Sequence, residues 1–119
     1  MSPIDSAGTE SVDPFEAIKE VYFFLDNNYD ALAAACPSEK DKKQLGDALT
    51  KAQEGYQKAC AAVFNTNDAS VNRFTRNLTK TQQQIAAYSE DLSKAAQTLA
   101  LITKAVTVIG KLLAAAGVV

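Results

Sequence analysis

The side chains that could do chemistry in this chain are two cysteines, two spaced pairs of carboxylates and four tyrosines, and there is no histidine. Without imidazole the usual general base is missing, and so are the Ser-His-Asp and Cys-His pairs and the common nitrogen ligand for metals. The Glu-x-x-His pattern by which helical bundles hold two iron ions is excluded on the same ground. Glu16 and Glu20 share one helical face, as do Asp26 and Asp30, and a solvated acidic face is the reading for both pairs. Cys36 and Cys60 lack metal-ligand spacing. On one helix they would stand roughly 35 Å apart, beyond disulfide reach. They read as free thiols and small core residues. Tyr22, Tyr29, Tyr56 and Tyr88 fall at seam positions and read as partly buried packing. No glycine-rich phosphate loop occurs. Asn77-Leu78-Thr79 matches the glycosylation acceptor pattern, but a chain without a secretory leader gives that match no use. The expectation is a protein with no catalytic residue, no metal and no cofactor, and not an enzyme.

These residues must sit on helices. All three prolines lie in the first 37 residues, and Ala, Lys and Gln are abundant after them. Asp13 and Pro14 suit the N-cap and first turn of a helix. Phe15, Ile18, Tyr22, Leu25, Tyr29, Leu32 and Cys36 then recur at spacings of three and four, which predicts helix 1 over 14–36. Val21 and Phe24 widen that face. Pro37 ends it, and helix 2 is expected over 38–63, with Leu45, Leu49, Ala52, Tyr56, Ala59 and Val63 on its seam. Ala48, Gly55 and Ala62 beside that seam would let a neighbour approach closely. FNTNDAS supplies the next turn.

The third segment, 69–116, keeps a three-four alternation from Val71 to Leu113 without Gly or Pro before Gly110. Unbroken it would be roughly 70 Å long. Two arrangements fit. In one, Ser89-Glu90-Asp91 caps a fourth helix and the chain is an up-down-up-down bundle. In the other, slightly favoured, helix 3 is continuous and forms one arm of a long hairpin. Helix 2 would then lie on its first half and helix 1 on its second. The fold class is all-α with coiled-coil-like heptad packing in either case.

At 119 residues the chain makes one domain with a modest core. Net charge is −2, which argues against a nucleic-acid binder. The charge is uneven: residues 1–68 carry six Lys and twelve acids, residues 69–119 six Lys or Arg and two acids. Two oppositely charged segments packed within one fold is the simpler reading, a basic end seeking an acidic partner or lipid the sharper one. Residues 1–13 lack the basic and apolar regions of a Sec signal and read as a disordered tail, so the chain is expected in the reducing cytoplasm.

The last 22 residues, TLALITKAVTVIGKLLAAAGVV, include 15 Ala, Val, Ile or Leu. As a membrane span, the aliphatic residues contribute about −5 kcal/mol, and Lys104 and Lys111 cost about +6. No stable anchor follows. Leu99, Ile102, Val106, Ile109 and Leu113 form one apolar row, Leu101, Ala105, Val108 and Leu112 a second, and the lysines stand opposite the first. In a two-stranded hairpin the second row needs another partner, most simply a second copy of the chain. The long three-four pattern is similar to that of helical-bundle and coiled-coil modules, and the apolar tail resembles those of α-helical pore-forming proteins. Neither resemblance assigns a role to any residue.

The sequence thus predicts a non-catalytic helical interaction or adaptor protein, self-associating as a homodimer or binding another helical protein. Its predicted contact face combines Val21 and Phe24 of helix 1 with Leu99, Leu101, Ile102, Lys104, Val106, Val108, Ile109, Lys111, Leu112 and Leu113. The alternative is a membrane-associated or membrane-perturbing protein that uses residues 98–119 at an anionic surface.

Overall fold

A computed structural model of the protein describes residues 13–118; the expected tail over 1–13 lies, but for Asp13, outside them. Within that range the chain is all-helical. Helix α1 spans Pro14–Ala35, α2 Glu39–Ala61, α3 Ala69–Ser89 and α4 Ala95–Ala115, with a 3-10 turn at Leu92–Lys94 before α4. Caps explain most boundaries. The Asp13 carboxylate accepts from the Phe15 amide, Ser38 Oγ from the Asp41 amide, and Asp68 from the amides of Ser70 and Val71. The C-terminal end of α4 is a Schellman turn. Gly117 takes a φ of 81°, and the Val118 amide donates to the Leu113 carbonyl at 2.8 Å.

There are four helices, not three. The heptad seam continues past Ser89, but the local polar residues use their hydrogen bonds to turn the chain. Ser89 Oγ donates to the Ala86 carbonyl, and the Asp91 carboxylate takes both the amide and the hydroxyl of Ser93, at 3.0 and 2.7 Å. These contacts hold Asp91 below the usual carboxylate range. The long continuous helix is therefore replaced by an antiparallel hairpin, α3–α4.

The helices pack as two stacked hairpins, α1–α2 and α3–α4, within an envelope of 42 × 35 × 19 Å. Phe15 meets Tyr56, and Tyr29 approaches Gly46, so α1 and α2 run antiparallel. Gln44 reaches Thr103 and Gly55 faces Ile109, so α2 and α4 run parallel. Around the bundle α1 neighbours α2 and α3, and α4 neighbours α2 and α3, whereas α1 and α4 touch little. The pairing expected for a long helix 3 is thus reversed: α1 packs on α3, and α2 on α4. The opposite charges of the two halves of the chain do not choose the neighbours, because the α4 lysines Lys104 and Lys111 face solvent.

Gly55 shows why α2 selects α4. A Cβ built there would stand 2.6 Å from Ile109 Cγ2, so the two helices approach closer than any side chain would allow. The buried residues of α2 are Leu45, Ala48, Ala52, Gly55 and Ala59, a face of mostly small residues. The expected seam is rotated accordingly: Leu49 and Tyr56 move to its edge, and Val63 lies beyond the helix, 88% exposed. Buried Thr75, Thr81 and Thr98 satisfy their hydroxyls on the carbonyls of Val71, Asn77 and Lys94, four residues back.

Candidate functional site

Most residues of the contact face read from the sequence are in the protein's own core. Val21, Leu99, Ile102, Val108, Ile109, Leu112 and Leu113 are buried. Phe24, Leu101 and Val106 are half-buried against them, and Lys104 and Lys111 are exposed. The two apolar rows of α4 need two neighbours, and the chain supplies both. Gly55 brings α2 onto Ile109 and Leu113 of the first row, and α3 lies on the flank next to Lys104 and Lys111. The break near Ser89 makes this possible, since a folded-back α3 covers what a second copy would otherwise cover.

A different group of residues comes together at the surface. Phe15, Tyr22 and Phe23 of α1 gather around Tyr56 of α2 at the outer edge of their interface. Tyr56 stacks on Tyr22 with ring centroids 5.3 Å apart and planes 24° apart, and it lies 5.7 Å from Phe15 and 5.5 Å from Phe23. Tyr22 meets Phe23 edge-on at 5.7 Å. These separations lie in the range where aromatic pairs attract beyond simple burial. Phe23 remains 41% exposed, and Lys19 Nζ stands 5.7 Å from the centre of its ring. Burial, and then the neighbouring Cys60 on the exposed side of α2, push the Tyr56 phenol above its ordinary value.

Residue spacing puts Tyr22 and Tyr56 in seam packing and leaves Phe23 without a role. A signal was present in VYFFL. Tyr22, Phe23 and Phe24 are consecutive on a helix, about 100° apart, so they cannot all point inward. Tyr22 turns to α2, Phe24 lies on the other flank, and Phe23 is left toward solvent.

The remaining candidates are chemically quiet. Cys36 is half-buried and its thiol donates to the Leu32 carbonyl at 3.3 Å. Burial, then the charge of Asp41, raise its pKa, which keeps it a weak nucleophile. It borders a cleft with Asn28, Leu32, Leu45, Leu99 and Ile102 of about 60 Å³, room for a water or two and well below a ligand pocket. Cys60 is exposed rather than in the core. Among the described residues no group of three His, Cys, Asp or Glu side chains converges on a point. α4 is the one described helix long and apolar enough to cross a membrane, and 44% of its most apolar stretch is buried.

The geometry defines a four-helix bundle of two stacked hairpins carrying an aromatic surface cluster. Comparison with protein-family models, curated proteins and solved structures finds no match to this chain.

Proposed function

We propose that this is a non-catalytic helical interaction protein that binds a helical partner, first a second copy of itself, through the outer edge of α1 and α2. The observation that carries this reading is the cluster of Phe15, Tyr22, Phe23 and Tyr56. Three rings gathered on Tyr56 form a rigid apolar surface that loses little side-chain entropy on docking, and Phe23 still has exposed area to bury. Helix 1 keeps its place as a contact element, while the apolar rows of α4 serve the core. The two free thiols suit a reducing cytoplasmic setting. Light scattering at high micromolar concentration tests the proposal: a mass above that of the monomer is expected, falling to the monomer's for Phe23→Asp. A wild-type monomer under those conditions refutes self-association.

α4 favours a second reading, membrane perturbation by residues 98–119. Its length, its apolar character and its incomplete burial support it. In this reading α4 leaves α2 and α3 and inserts. Release of dye from anionic vesicles is the expected result, and intact vesicles at saturating protein would dispose of it.

A further inference from the structure

The outer side of α3–α4 carries a second surface, and it is cationic. Arg73, Arg76 and Lys80 are exposed on α3 at spacings of three and four, and Lys104 and Lys111 are exposed on α4. Because the helices run antiparallel, Lys80 comes opposite Lys104 and Arg73 opposite Lys111. Arg73, Arg76, Lys80 and Lys104, with Asn77 and Thr81 between them, line an open groove of about 400 Å³. Arg73 also borders the adjoining hollow with Lys111 and with Asp68, whose carboxylate is engaged in capping α3, and its guanidinium lies 4.9 Å from the centre of the Phe74 ring. The ion pairs among the described residues are Lys19–Glu16 and Lys42–Glu39, both on the other hairpin. The five cations therefore face solvent without a carboxylate partner. Residues 69–119 contain two acids, Glu90 and Asp91, and both sit at the turn end of the hairpin.

We infer that this face docks on the headgroups of an anionic phospholipid bilayer while the bundle stays closed. The inference deepens the membrane reading and rests on its lipid partner, but not on insertion. Five unpaired cations fall in the range at which basic clusters hold acidic lipid surfaces. The arginine forks match phosphate oxygens, and the exposed side-chain amide of Asn77 adds a neutral donor between them. The opposite hairpin carries the acidic excess, so the charge asymmetry turns α3–α4 toward a negative surface. A single-stranded nucleic acid fits less well, because the ring bordering this face, Phe74, is half-buried and covered by the Arg73 guanidinium, which leaves no open platform for bases to stack on.

The test uses the whole protein and two vesicle preparations, phosphatidylcholine alone and equal parts phosphatidylcholine and phosphatidylserine, at low ionic strength. Flotation with the serine lipid only, reversed by added salt, is expected, with vesicle contents retained. Charge reversal at Arg73→Glu, Arg76→Glu and Lys80→Glu should weaken binding by at least about a hundredfold, at about fivefold for each neutralised charge. Lys40→Glu with Lys43→Glu, exposed on α2, should leave it near the wild-type level, with both variants helical by circular dichroism. Failure of the wild type to float, or equal loss in the two variants, overturns the inference. So does capture of the protein from the vesicles by single-stranded RNA. Contents released on binding would keep the insertion reading and sink the closed-bundle one.

Discussion

The hairpins α1–α2 and α3–α4 share one core, to which α3–α4 contributes most of the large aliphatic side chains, yet they present opposite exteriors. α1–α2 carries an excess of acids, its two ion pairs are internal, and its interface opens onto a cluster of aromatic rings. α3–α4 carries the basic excess, and its large aliphatic side chains are mostly spent inward. The difference shows that apolar content is a poor guide to exposed apolar surface. α4 is the most apolar helix of the chain, but its outward residues include Ala96, Ala100, Thr103, Lys104, Thr107, Gly110 and Lys111. The more polar α2, whose buried face is made of small residues, leaves a large ring stranded at its edge.

The comparison breaks most decisively at α4. Leu112 is fully buried, so Leu112→Ala should lower unfolding free energy by about 2–5 kcal/mol in urea titration. A loss below about 1 kcal/mol would mean that Leu112 does not face the core. Gly55→Ala comes next. The added methyl must displace Ile109, and overpacking of this kind costs about 1–3 kcal/mol, partly offset by about 1 kcal/mol of helix propensity. An exposed glycine would give the opposite sign. Gly110 is that internal control: a Cβ there meets nothing within 4 Å, so Gly110→Ala should stabilise by up to about 1 kcal/mol.

On the other hairpin, Phe23→Asp should cost about 1–2 kcal/mol of unfolding free energy, less than Leu112→Ala, while abolishing association in light scattering, because the ring packs on Tyr22 and Tyr56 but keeps 41% of its surface in solvent. A large stability loss there would make the cluster structural. The smallest effect belongs to the turn that separates α3 from α4. The Asp91 carboxylate is held below its ordinary value by Ser93, so its contribution is present above the usual carboxylate pKa near 4 and is lost as pH falls through the lower folded value. Asp91→Asn should remove that part of the acid-side decline, seen as a flatter pH dependence of the melting temperature below pH 4.

Much of this was legible from residue spacing. Asp13-Pro14 opens α1, and Pro37-Ser38 divides α1 from α2. Ala69 begins α3, and the all-helical class follows from the three-four periodicity. The neighbours were not legible. Periodicity fixes which side of a helix is apolar but carries no term for which helix will cover it. Ser89, Asp91 and Ser93 had to be weighed as hydrogen-bonding groups against a heptad that runs through them unbroken, and tertiary burial of both α4 rows decided the outcome. Gly55 was seen as a place of close approach, though not for α4. The aromatic cluster is not legible because spacing alone puts Tyr56 on a seam that the small residues of α2 occupy instead.

The order of neighbours around the bundle also has a kinetic meaning. Each hairpin joins helices adjacent in sequence through a short turn, and closing such turns costs little chain entropy. Joining the hairpins requires contacts such as Gln44 to Thr103, 59 residues apart. Docking of two preformed hairpins along the Gly55 seam is thus the expected slow step. Contacts within a hairpin, the aromatic cluster included, precede that step, so substitutions there should act on the folding rate, whereas those on the seam should divide between the folding and unfolding rates.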